Sequence, residues 1–130
     1  MAYNFAIGDK NEEVTLHISN NASQSSSVLE LGTHLQQHPE VHYVGDVTVP
    51  MRTLENFIFP FDVDFLNMDI QGYELHALKG LGTRIDQFRW CYLEVNRQEL
   101  YKGCGQVNDI DYYLGAFGFR RVETLWIDGS

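Results

Sequence analysis

Asp64-Phe65-Leu66-Asn67-Met68-Asp69-Ile70-Gln71-Gly72-Tyr73-Glu74 decides how the rest of the chain is read. It reads as a short apolar strand that ends in a carboxylate, turns on a glycine and enters a helix. A carboxylate at the carboxyl end of a buried strand points into the crevice where open α/β sheets bind ligands. Downstream, Tyr73–Leu81 places Leu75, Leu78 and Leu81 along one helical face, and Gly80 and Gly82 supply C-cap residues.

Further on, Trp90–Val95 is a nearly continuous apolar run, as expected of a strand covered on both faces. Val107–Phe117 predicts a second helix with Val107, Ile110, Leu114 and Phe117 on one side. Asp109 and Asp111 sit in its first turn, where the helix dipole favours anions. Gly118 stops it, and Phe119–Ile127 predicts a final strand. Strands and helices alternating at this spacing imply right-handed crossovers, an α/β fold and a mainly parallel sheet.

The first half is less regular. Ala2–Ile7 and Val14–Ile18 alternate on either side of the turn cluster Gly8-Asp9-Lys10-Asn11, which predicts an N-terminal β-hairpin. Ser19 to Ser27 is a polar loop. Val28 to Gln37 carries a short helix or turn that Pro39 ends. Tyr43–Met51 is strand-like, and Thr53 can cap a short helix holding Leu54, Phe57 and Ile58.

A chain of 130 residues is a single domain at most. Its net charge of -9 argues against nucleic acid, because a phosphate backbone needs a basic footprint. Cys91 and Cys104 lack metal spacing and read as free thiols of a reducing compartment. No basic leader and no apolar run of membrane length is visible, so the expected location is cytoplasmic.

Asp69, Glu74 and Glu94 are the candidates for chemistry. Asp69 lies at a strand end, Glu74 in the first turn of the next helix, and Glu94 near the end of the next strand, followed by Asn96. If the two strands are neighbours, these groups converge on one crevice. There they can bind a cation, orient a hydroxyl or act as a general base with a raised pKa. The bland alternative makes Glu74 a favourable helix-start charge and Asp69 a cap or turn residue. His34, His38 and His42 are spaced by four, but Pro39 breaks any helix between them, and no metal is assigned. No serine or cysteine occupies a nucleophile elbow. Ser25-Ser26-Ser27 reads as loop hydroxyls bonding nearby backbone, and Gly103-Cys104-Gly105 as a flexible turn.

At Asp64–Gly80 the chain resembles the FkbM-type S-adenosylmethionine-dependent methyltransferases. Asn4-Phe5-Ala6-Ile7-Gly8-Asp9, Ser25–Leu29, Val49–Glu55, Tyr92–Asn96 and Asp109–Phe119 extend the resemblance along nearly the whole chain. Asn67 stands where lysine is common, Gln71 where glutamate is common, and Glu55 where aspartate is usual.

The resemblance implies a Rossmann-like class I methyltransferase sheet and methyl transfer to a hydroxyl of a small-molecule, sugar or lipid-linked acceptor. It makes Asp69, Glu74 and Glu94 the catalytic candidates, Gln71 and Asn96 acceptor contacts, and Ala6, Ile7 and Asp9 neighbours of the cofactor. The family's glycine-rich cofactor loop and ribose-binding acid would lie before Met1, and its last strand after Ser130. The domain is therefore expected to be partial, with weak or no cofactor binding by the chain alone. An exposed apolar strand edge at Val63–Ile70 would then invite self-association. A non-catalytic interaction module is the rival expectation.

Overall fold

The computed structural model describes residues 2–127. The apolar runs around the Asp69 stretch form the regular part. Phe65–Met68 (β4) and Trp90–Leu93 (β5) pair in parallel, with Phe65 opposite Trp90 and Met68 opposite Leu93. Their crossover is the helix Glu74–Gly80 (α2) followed by a 3₁₀ turn over Gly82–Gln87. Helix Val107–Gly115 (α3) follows β5, opened by a capping box between Gln106 and Asp109.

The core sits under this unit. Met68 joins Leu54, Ala77, Leu78, Leu81, Ile85, Phe88, Ile110 and Leu114, with Leu66, Cys91 and Leu93 packed against them. The period-2 side-chain alternation of strands sends Phe65, Trp90 and Tyr92 the other way. They are 57%, 61% and 66% exposed, so the expectation of a β5 covered on both faces is corrected. Its near-continuous apolar run marks one buried face and one bare aromatic face.

The second sheet has the order β1-β3-β2, from Ala6–Ile7 (β1), Glu12–Ser19 (β2) and Tyr43–Arg52 (β3). The expected N-terminal hairpin is not formed. β3 lies between its two arms, antiparallel to β2 and parallel to β1. Two interactions explain the choice. The ten-residue β3 gives β2 a ladder from Glu12–Met51 to Ile18–Gly45, which the two residues of β1 cannot match. β1 is meanwhile held by packing: the Gly8 amide donates to the Arg52 carbonyl at 3.0 Å, and a Cβ on Gly80 of α2 would lie 1.9 Å from the Gly8 carbonyl oxygen.

The architecture is thus mixed α/β with two separate sheets, one mixed and one parallel, rather than a single mainly parallel sheet. Two further expectations are corrected. Residues 54–58 form a turn, not a helix, and Arg84 donates to the carbonyls of Leu54 and Phe57 there. Residues 119–127 form no strand; they run along the surface, tied by Arg121 to Asp111 and by Arg97 over the Trp126 ring. A strand pattern is realised only beside a partner strand with free backbone groups, and residues 119–127 are not part of either sheet. Helix His34–Gln37 (α1) stops before Pro39, as its sequence requires. Beside it, Leu31, Leu100, Tyr101 and Cys104 form a smaller core. Among the described residues, no helix is long and apolar enough to cross a membrane.

Candidate functional site

Strand register builds the site. Because Met68 pairs with Leu93 in parallel, the next residue on each strand, Asp69 and Glu94, leaves the same end of the sheet. The Glu94 amide still donates to the Met68 carbonyl at 3.0 Å, which keeps the two chains together for one more step. The chain then reverses through Gln71 (φ +53°) and Gly72 (φ +96°) before entering α2. At Gly72 the left-handed backbone and the space agree: a Cβ would lie 3.0 Å from Tyr101 and 3.1 Å from Cys104.

Glu74 is 2% exposed, and its Oε1 accepts the Ile70 amide at 2.8 Å. Burial pushes its pKa up, while amides of Ile70, Glu74 itself and Gly72 pull it down. Oxygens of Asp69, Glu74 and Glu94 all lie within 4.8 Å of one another, near enough to share a cation. Glu94 is pushed up to about 8, first by burial, then by its hydrogen bond with Asp69 and by the charges of Asp69 and Glu74. Burial and the neighbouring carboxylates thus favour the protonated form of Glu94.

Gln71 ties the cluster together. Its Nε2 donates to Asp69 Oδ1 at 2.6 Å and to Glu94 Oε2 at 3.2 Å. Its Oε1 accepts the Tyr101 hydroxyl at 2.8 Å, and its backbone carbonyl accepts the Ser27 hydroxyl at 2.7 Å. Asn96 is 2% exposed, and its Oδ1 is buried with no hydrogen-bond partner. Its carbonyl accepts the Val107 amide at 2.8 Å, which sets the start of α3.

The structure brings Asp69, Gln71, Glu74 and Glu94 into one cluster. Ala6, Ile7 and Asp9 lie elsewhere, around β1. Ile7 packs on the main core, and Asp9 faces Tyr73 and His76, where it helps raise the Tyr73 pKa after burial. His34 and His38 have ring centres 5.1 Å apart, but neither is part of the acidic cluster. Sequence reasoning missed Tyr101 and Ser27. Ser27 does bond nearby backbone, accepting the Leu29 amide at 3.1 Å, but its own proton goes to Gln71, 44 residues away. Tyr101 carried no local signal at all.

An α/β domain whose two parallel strands end in a cluster of carboxyl groups is the class that fold and site define. The family model of the methyltransferase FkbM domain matches residues 1–121, and the chain belongs to that family. Comparisons with curated proteins and with solved structures give no match.

Proposed function

We propose that this chain provides the acceptor side of an S-adenosylmethionine-dependent O-methyltransferase, with a Rossmann-like arrangement around β4 and β5. The observation that carries the reading is the Asp69–Glu94 pair at the carboxyl end of two parallel strands, held by Gln71. Methyl transfer to a hydroxyl releases one proton. A carboxylate within reach of that hydroxyl takes it as general base. Asp69 is assigned this role, Glu94 tunes it, and Glu74 adds negative charge while holding the turn. Gln71 ties the two acids together, and Asn96 remains the second acceptor-contact candidate of this reading, for a small-molecule or glycan hydroxyl.

The cofactor itself is not cradled by these residues alone. Gly8, Gly72 and Gly105 leave no open space for a cradle, since Cβ atoms there would meet Met51, Tyr101 and Leu75, whereas Gly103 (φ +78°) is open. Concavities of about 640 and 350 Å³ are lined by residues 57–63 with Arg84 and Gln87, and by Phe5, Asn11, Arg52, Thr53, Asn56 and Phe57; neither reaches the acids. Ala6, Ile7 and Asp9 remain the cofactor-side candidates of this reading.

The test is labelled methyl transfer to hydroxyl acceptors, with the chain alone and within the assembly that carries it. Alone it gives little or none. In the assembly, Asp69→Asn lowers turnover by about 10²-fold or more, the usual contribution of a general base. Unchanged turnover in Asp69→Asn removes the assignment.

A second reading is favoured by a specific observation, the bare face of Phe65, Trp90 and Tyr92 on a two-stranded sheet. In it the domain is an interaction module that pairs with a second copy through the open β4–β5 edges.

A further inference from the structure

Gln71 can hold both acids only if its amide points one way round. The Nε2 group must face Asp69 and Glu94, and Oε1 must face away. Rotated by half a turn, Oε1 would confront two carboxyl groups, and the two Nε2 protons would point at the phenol. Nitrogen and oxygen have nearly the same size, so packing alone does not choose between these states.

The two acids favour the Nε2 side, and the group on the other side decides how firmly that orientation is held. Tyr101 is 1% exposed, and burial raises the pKa of its phenol, so the proton stays on. That single proton has two acceptors within reach, Gln71 Oε1 at 2.8 Å and the Ser25 carbonyl at 3.3 Å. The shorter contact directs it to Gln71. The ring is fixed by its surroundings: it packs with Leu31, Leu100 and Cys104, lies 5.4 Å from the His34 ring, and its chain pairs with Leu31 through an isolated bridge. Ser27 meanwhile holds the Gln71 backbone by its carbonyl, so only the side-chain amide is left free to turn.

We propose that Tyr101 is a positioning residue: its buried hydroxyl fixes the orientation of the Gln71 amide and thereby the geometry of the Asp69–Glu94 pair. The role of the pair in transfer rests on the functional reading above; the positioning itself does not. Tyr101 lies 30 residues from Gln71, and its hydroxyl faces Gln71 and the Ser25 carbonyl rather than either acid. With a glutamate at position 71, the same bridge would place a third carboxyl between the acids. The amide is what makes an orienting donor necessary.

The experiment is side-chain amide NMR on the intact chain, with Gln71 assigned by the loss of its signal in Gln71→Glu. In the wild type the two Nε2 protons give separate resonances shifted away from those of exposed glutamines. In Tyr101→Phe, which keeps the ring and removes only the hydroxyl, they move toward the exposed-glutamine position as the amide loses its fixed orientation. Their exchange with water rises about tenfold, the effect of losing one buried hydrogen bond. Gln71 signals that stay in place in folded Tyr101→Phe overturn the proposal.

If that variant does not fold, the wild-type hydroxyl proton decides. A slowly exchanging resonance with a cross-peak to the Gln71 side chain supports the proposal, and one with a cross-peak to Ser25 alone overturns it. Turnover of the assembly is read separately: Tyr101→Phe lowers kcat and leaves KM unchanged. Moved amide signals with unchanged kcat would retain the positioning and reject the catalytic reading of the pair.

Discussion

Glu94 shows what the cluster costs the fold. Unfolded, it titrates near 4.5; folded, burial and Asp69 raise it to about 8. Between those values the folded state keeps a proton that the unfolded chain has released. Stability therefore falls as pH rises through that window, and the contribution is fully present only below the lower value. Glu74, also raised by burial, adds the same sign. Glu94 is only partly withdrawn from water, which screens the effect. Thermal melts across the window should show a falling Tm in the wild type and a flatter profile in Glu94→Gln. At the upper end the variant gains about 1 kcal/mol, or roughly 5 °C for a domain of this size. Parallel profiles would mean that Glu94 titrates as an exposed glutamate does. At this scale Asp69, Glu74 and Glu94 were legible, because strand ends and helix starts are local patterns. Tyr101 and Ser27 were not, since each reaches Gln71 across 30 or 44 residues of chain that no periodicity records.

Elements differ in how local their causes are. β4, α2, β5 and α3 each carry their own periodicity and stop signals, and all four form within a few residues of their expected bounds. Partner choice is different, because it depends on what else competes for an edge. The turn Gly8–Asn11 looks like a hairpin connection, yet β3 takes both neighbours and α2 clamps β1 through Gly8 and Gly80. That clamp is testable. Gly80→Ala sets a Cβ 1.9 Å from a backbone carbonyl that has little room to retreat. Denaturant midpoints should report a loss of about 1–3 kcal/mol, the usual cost of overpacking. Gly115→Ala, with nothing within 4 Å, is the matched control and should be neutral or slightly stabilising in α3. Equal effects at the two sites would show that β1 is not held by this contact.

Across the whole molecule, apolar surface is unevenly shared. One side of the β4–β5 pair meets the main core, while Phe65, Trp90 and Tyr92 face outward. Both outer edges of that sheet also lack strand partners among the described residues. Exposed aromatic area beside open edges favours pairing with a second chain. Sedimentation across a concentration series should show a mass rising from one copy to two, with Trp90→Lys holding it at one. A constant single-copy mass at all concentrations would exclude the self-pairing module. This asymmetry was not legible beforehand, since an apolar run looks the same whether one face or both are covered.

The bare face also makes the chain its own optical gauge. Of its two tryptophans, Trp90 stands on that face and Trp126 lies under the Arg97 guanidinium, 4.3 Å from ring centre to cation. Their indoles report on different places without any added dye. A covered face dims the access of a dissolved quencher to Trp90 and shifts its emission to the blue, while Trp126 serves as the internal standard.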